Sequence, residues 1–171
     1  MTSITDTTNS AERRHGGGHA GAATGVAADT RTPLPALLDD LAALGFAEFH
    51  RRLRDAGHPV IRQGHGCVFR FIGEGGSRLT DLADFAGLTK QAVGEVVADL
   101  ERLGYVERTA DPQDGRAKLI RLTELGADAR RTALGIFADM ERDWAERYGA
   151  ERVAALRELL EDIAADARAA A

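Results

Sequence analysis

The sequence predicts a mainly α-helical fold carrying one small β-hairpin, and three observations lead there. Ala, Leu, Arg, Asp and Glu dominate, while six Phe, two Tyr and one Trp are the only aromatics among 171 residues, a mixture that favours helices over strands. From residue 33 onward apolar residues recur at three- and four-residue steps over most of the chain, the period of an amphipathic helix. Only the stretch around residues 105–122 breaks that period, with two short β-prone runs flanking Asp-Pro and Asp-Gly, dipeptides that favour turns.

The elements follow in order. Residues 1–32 are rich in Thr, Ser, Ala and Gly without apolar periodicity, and read as a disordered tail. Its His15-Gly16-Gly17-Gly18-His19 run has neither a Gly-x-Ser-x-Gly elbow elsewhere nor the further ligands of a metal site, and reads as chance composition. Leu37, Leu38, Leu41, Leu44, Phe49 and Leu53 predict a helix over about 35–55, with Pro33 and Pro35 tolerated at its first turn. Gly57-His58-Pro59 ends it. A second helix is expected through Val60, Ile61, Cys67, Val68, Phe71 and Ile72, weakened by Gly64 and Gly66. Ser77 to Leu79 can form a very short strand. Thr80 is expected to cap a short helix ending at Gly87, and Thr89 to cap the next, from Lys90 to about Leu103, with Val93, Val96, Val97, Leu100 and Leu103 on one stripe. Tyr105–Arg108 and Lys118–Leu122 read as strands of a hairpin with a long tip over 109–117. Thr123 then caps a long helix ending near Gly149, and a last helix carries Val153, Leu156, Leu159, Leu160 and Ile163.

Two short helices joined by Gly87-Leu88-Thr89 and followed by a hairpin make a winged helix-turn-helix over about 60–122. In that arrangement the second helix offers its N-terminal turn to the DNA major groove while its valines and leucines dock it on the body. Lys90 and Gln91 point away from the apolar stripe, and Gly94 would let the helix approach closely. Helices over about 35–55 and 123–168 carry apolar stripes that a small winged domain cannot cover, so they are expected to pair with a second copy of the chain. The fold class is therefore mainly α with a hairpin wing, a winged helix-turn-helix joined to a helical dimerisation region.

The pattern Leu79-Thr80-Asp81-Leu82-Ala83, Gly87-Leu88-Thr89-Lys90-Gln91-Ala92-Val93, Leu100-Glu101-Arg102-Leu103-Gly104-Tyr105-Val106-Glu107-Arg108, Asp111-Pro112-Gln113-Asp114-Gly115-Arg116-Ala117-Lys118 and Leu122-Thr123-Glu124-Leu125-Gly126 resembles the MarR family of bacterial transcription regulators. The resemblance is dense over 79–126 and, by helix order, extends over 35–168 within one MarR-like domain spanning 33–171. It implies a homodimeric, ligand-responsive regulator, expected to be a repressor, reading a palindrome in double-stranded DNA. Implied DNA contacts are Thr80, Thr89, Lys90, Gln91, Gly94, Asp114, Arg116 and Lys118, with Arg116 at the minor groove and Asp114 orienting it. Glu95 departs from the basic residue that many members carry nearby. The resemblance also implies a small aromatic or acidic effector in a cleft between the first two helices and the winged domain, with Phe46, Phe49, His65 and Phe69 as candidates for its lining.

Charge is consistent with a local DNA site and with no global one. The net charge of -5 excludes a uniformly basic nucleic-acid coat. Residues 77–122 hold seven basic and eight acidic residues, a net of -1, against seven and eleven, a net of -4, over 123–171. Both lysines of the chain, Lys90 and Lys118, fall in the expected recognition helix and wing. The single cysteine, Cys67, reads as a small apolar residue packed in a helix; the family's peroxide-sensing branch places its reactive cysteine nearer the start of the first helix. A Cys67-based redox sensor and a helical protein-interaction module without DNA specificity are the alternatives. His50, His58 and His65 lack the cysteine or carboxylate spacing of a metal site. No Walker loop, Gly-x-Gly-x-x-Gly or catalytic carboxylate pair stands out, so neither an enzyme nor a cofactor is expected. Without a leader or a run of about 18 apolar residues, the chain is expected to be soluble and cytoplasmic, with no membrane partner.

Overall fold

Helix α1, Leu34–Asp55, carries apolar residues from one end to the other, yet only Phe49 and Leu53 near its C-terminal end are buried. A computed structural model describes residues 31–170, and nearly all of the tail expected over 1–32 lies outside the described residues. The helix closes with His58 N–H on the Leu53 carbonyl and Gly57 N–H on that of Arg54, both at 3.0 Å, the paired bonds of a Schellman cap. Instead of one continuous second helix there is a single 3₁₀ turn, Gln63–His65, followed by the six-residue helix α2, Gly66–Phe71. The glycines at 64 and 66 explain the interruption, and the His65 ring adds to it: its Nδ1 accepts the Arg62 backbone N–H at 3.2 Å, holding the turn in place of a further helical bond.

A two-residue strand β1, Ser77–Arg78, leads into α3, Leu79–Ala86. Thr80 therefore lies inside the helix rather than at its cap; the N-cap position is Arg78, in extended backbone conformation, and the Thr80 hydroxyl donates sideways to Asp81 Oδ1 at 3.3 Å. Gly87 ends α3 at φ 64°, a left-handed conformation that costs glycine nothing and most other residues strain. Thr89 then opens α4, Lys90–Arg102, its Oγ1 accepting the Ala92 N–H at 3.2 Å. On α4 the inward positions Val93, Val97 and Leu100 have no measurable exposure.

Strands β2, Val106–Asp111, and β3, Asp114–Leu122, are antiparallel, and β1 joins the other edge of β3 to give the order β1-β3-β2. The hairpin is longer and its tip shorter than expected: most of the predicted loop is strand, leaving Pro112-Gln113 between the strands. Asp111 explains it. Its Oδ1 accepts the Gln113 N–H at 2.8 Å, an Asx turn beside an irregularity in register at Ala110/Asp111, so the chain reverses in two residues. Helix α5, Glu124–Tyr148, starts under the cap of Thr123, whose Oγ1 accepts the Gly126 N–H at 3.1 Å, and α6, Ala150–Ala169, follows with no buried residue.

The core lies under α4 and the sheet, with Leu53, Val68, Leu82, Val93, Val97, Leu100, Val106 and Ile120 almost wholly enclosed; each such side chain contributes roughly 1.5–3 kcal/mol of burial. Phe49 of α1 stacks on Phe137 of α5 with centroids 4.4 Å apart, tying the two long helices together. The closest backbone approach is at Gly126, where a Cβ would stand 1.9 Å from the Tyr105 carbonyl oxygen and 3.2 Å from Leu122 Cδ2. Gly126→Ala is thus expected to destabilise the protein by about 3 kcal/mol, the upper end of overpacking costs, seen as a lower urea midpoint at unchanged slope. Gly135→Ala on the same helix, where the added methyl meets nothing within 4 Å, should instead stabilise by about 0.5–1 kcal/mol.

Candidate nucleic-acid interface

Two elements project polar side chains from this core. At the start of α4 Thr89, Lys90 and Gln91 are exposed; Thr89 caps the helix, and the Gln91 amide donates to Glu95 Oε1 at 3.3 Å one turn on. On the wing Asp114, Arg116 and Lys118 are exposed. Lys90, Arg116 and Lys118 make no ion pair with any described residue, whereas Arg78, Arg102 and Arg108 nearby are paired with Asp111, Asp99 and Glu101. Lys90 at the helix start and Arg116 and Lys118 on the wing are thus open to an outside partner, as are Arg62, Arg70 and Arg121 of the same region, which are also exposed and make no ion pair with a described residue. A capped helix N-terminus adds backbone N–H groups and the positive end of the helix dipole.

Two expectations change on contact with the geometry. Asp114 does not grip the Arg116 guanidinium: its Oδ1 accepts the Arg116 backbone N–H at 3.1 Å, because a residue two positions away on the same strand presents its amide, not its side chain, to that carboxylate. Gly94 lies on α4 with room around it, a Cβ there meeting only Leu79 Cδ2 at 3.7 Å. Thr80, exposed on α3, is not a cap. Missed altogether was Arg78, whose Nε and Nη2 both donate to Asp111 Oδ2, at 2.8 and 2.6 Å. Asp111 is only 6% exposed, and its carboxyl is held below the usual range by the Gln113 N–H and the Arg78 guanidinium.

The four residues expected around an effector are mostly spent on packing. Phe49 is buried against Phe137, and Phe69 meets Tyr105 edge-on with centroids 6.1 Å apart. His65 is 4% exposed; with Nδ1 accepting from Arg62, its Nε2 carries the proton and donates to Asp99 Oδ2 at 3.0 Å, pinning the 3₁₀ turn to α4. Phe46 alone is open to solvent. Two clefts are lined by other residues: one of about 390 Å³ by Glu74, Glu107, Arg121 and Arg130 among others, and one of about 580 Å³ between β1, α3 and the wing tip. Cys67 donates Sγ–H to the Gly64 carbonyl at 3.2 Å, and burial pushes its thiol pKa up. Among the described residues no group of three or more His, Cys, Asp or Glu is placed to hold a metal ion, and no helix is long and apolar enough to cross a membrane.

Comparison with known proteins agrees with this geometry. Residues 60–117 match the model of the MarR family. The chain is 39% identical over 61 residues to the uncharacterized HTH-type transcriptional regulator YdcH of Bacillus subtilis, a stretch covering 36% of this chain and 42% of that protein. A match of 38% identity, also over 61 residues, links it to riboflavin kinase of Thermoplasma volcanium, where it covers 36% of this chain and 25% of the kinase. The chain thus spans less than half the length of the curated relatives it matches. Among solved structures it is similar to transcriptional regulator PA4135, at 28% identity over 78% of this chain and 96% of that one with a TM-score of 0.58. It shares its fold with a MepR–DNA complex of S. aureus, at 19% identity over 80% and 99% of the two chains and a TM-score of 0.65.

The histidines beneath the interface generate a pH expectation. Both ring nitrogens of His50 are buried without a hydrogen-bond partner, and burial first, then the charges of Arg54 and His65, lowers its pKa below the ordinary 6.5. Protonation thus favours the unfolded chain, so the stability tied to neutral His50 is complete above about pH 6.5 and declines as pH falls through that value toward the folded pKa. Urea titrations between pH 8 and 5 should show wild type losing stability on acidification more steeply than His50→Leu. Parallel curves for the two proteins would remove His50 from the pH response.

Proposed function

We propose that this winged helix-turn-helix chain, whose residues 60–117 match the model of the MarR family, is a cytoplasmic, sequence-specific transcriptional repressor of that family. In this reading it acts as a homodimer on a palindrome in double-stranded DNA and is released by a small aromatic or acidic effector. The winged region over about 60–122 is the DNA head, and the helices over about 35–55 and 123–168 are the base through which two copies pair. The observation that carries the DNA reading is the position of three unpaired cations. Lys90 at the α4 start and Arg116 and Lys118 on the wing stand exposed and without ion pairs on the two elements that a winged protein presents to the grooves. The DNA bound to the S. aureus relative supports the same partner.

Dimerisation is supported by apolar surface that no described residue covers. Leu34 and Leu44 of α1 are 73% and 70% exposed, and Leu159 and Ile163 of α6 are 57% and 54% exposed. Contiguous apolar faces of this kind on long helices mark an association surface. A protein-interaction module would use the same faces but leaves Lys90, Arg116 and Lys118 without a role. Redox sensing through Cys67 has less support, because a thiol whose pKa is raised holds little of the reactive thiolate at neutral pH. The match to riboflavin kinase spans a quarter of that enzyme and carries no proposal of kinase activity. For the effector the support is the family alone, since Phe49, His65 and Phe69 are engaged in packing.

Selection of duplexes from a random pool tests the DNA reading, with a palindrome as the expected product. Arg116→Ala should weaken binding to the selected duplex by about 1–3 kcal/mol and lower the salt slope by about one, while Asp114→Ala, which loses only a turn contact, should cost less. Equal affinity of Arg116→Ala and wild type would take the wing out of the interface. In sedimentation velocity the wild type should run as a dimer, and Leu159→Asp combined with Ile163→Asp as a monomer or an aggregate. A double variant that sediments as a clean dimer would place the pairing surface elsewhere.

A further inference from the structure

We propose that Arg78 is a positioning residue for DNA recognition, clamping the wing tip to the edge of the sheet through buried Asp111; this rests on the DNA-binding reading above. Arg78 ends β1, on one edge of the sheet, and pairs in register with Leu119 of β3. Asp111 ends β2, on the other edge. The guanidinium therefore reaches diagonally across β3, and its Nε and Nη2 converge on one carboxylate oxygen at 2.8 and 2.6 Å. The other oxygen accepts the Gln113 N–H and closes the tip. Asp114 Oδ2 stands 3.9 Å from the same Nη2, so the cation faces both aspartates that bracket Pro112-Gln113.

Three features separate a clamp from a surface ion pair. The carboxylate is almost wholly enclosed, and a buried charge stripped of its partner is strongly disfavoured; a tip without Arg78 would relieve this by turning Asp111 out to water. The two elements joined, β1 and the end of β2, are 33 residues apart in sequence, and β1 runs directly into α3 of the helix-turn-helix. The bond thus fixes the angle between wing and head. Finally, Arg116 lies two residues beyond Asp114 on the strand leaving this tip, so its aim depends on the tip's orientation. Two donors of Arg78 are committed inward, which distinguishes it from the unpaired Lys90, Arg116 and Lys118.

The test uses the full chain, the duplex that wild type enriches from a random pool, and hydrogen exchange of the DNA-free protein. Arg78→Gln and Asp111→Asn should each weaken binding tenfold or more with the salt slope unchanged, and amides at the wing tip should exchange at least tenfold faster. The Asp111→Asn arm is the most discriminating. Removing a negative charge beside DNA strengthens binding if charge alone matters and weakens it if the clamp matters. The exchanged pair Arg78→Asp with Asp111→Arg should recover part of the loss, and Arg78→Lys, which keeps the charge but not the fork, should fall between wild type and Arg78→Gln; these two keep the test open if either single variant fails to fold. Asp111→Asn binding as tightly as wild type, a salt slope lowered by about one in Arg78→Gln, the mark of a direct phosphate contact, or unchanged exchange at the tip would each overturn the clamp. If wild type enriches no duplex, the DNA reading fails, and tip exchange still decides whether Arg78 holds the wing.

Discussion

Four parts of this fold meet at the corner formed by Gly104 and Tyr105. The Tyr105 N–H closes α4 on the Leu100 carbonyl at 2.9 Å, and its carbonyl accepts the Thr123 N–H at 3.1 Å. The Thr123 hydroxyl donates to the Gly104 carbonyl at 2.7 Å while capping α5, and the Tyr105 phenol lies 3.3 Å from His58 Nδ1 in the loop after α1. The end of α4, the root of the wing, the start of α5 and the exit of α1 are thus bonded to two consecutive residues. Gly126 is the steric condition for this, because the first turn of α5 lies directly on the Tyr105 carbonyl. A head attached in this way moves with the first turn of α5 and does not swing on a loose linker, so in the proposed dimer the spacing of the heads would follow from how the two bases pack.

Electrostatics is arranged by pairing more than by composition. The chain as a whole is acidic, and its winged segment carries no excess of basic residues. Arg102 and Arg108 are neutralised by Asp99 and Glu101, and Arg78 by Asp111, so arginines that a simple count would assign to DNA are paired within the head. Three of the exposed cations without ion pairs, Lys90, Arg116 and Lys118, sit where the backbone already presents a helix N-terminus and a strand tip. The exposed pairs of Arg102 and Arg108 contribute little to stability, whereas the Arg78 pair encloses its carboxylate.

Features set by neighbours in sequence were legible, and those set by neighbours in space were not. The caps at Thr89 and Thr123 and the stop at Gly87 depend on three or four consecutive residues, and the structure has them where the residue types put them. The split of the second helix was foreshadowed by Gly64 and Gly66, but its form depends on the His65 ring turning back to Arg62. The hairpin was found and its tip overestimated, since Asp-Pro and Asp-Gly signal a turn without saying how far the ladder extends toward it. Thr80 was misplaced as a cap because Ser-Arg-Leu-Thr offers a hydroxyl one residue inside the true boundary. Arg78 could not have been singled out, since its partner is far along the chain, and Gly126 likewise owes its necessity to a carbonyl distant in sequence. The effector residues were named from aromatic character, and three of the four are engaged with residues that the linear pattern does not bring together.

The central claim, that the start of α4 and the wing together form the surface that meets DNA, is most directly tested by hydrogen exchange of the full chain with and without its selected duplex. The account predicts protection concentrated in residues 89–95 and 112–118, with the exposed face of α6 unchanged. Protection confined to α1 and α6, with the start of α4 and the wing exchanging as in the free protein, would contradict it.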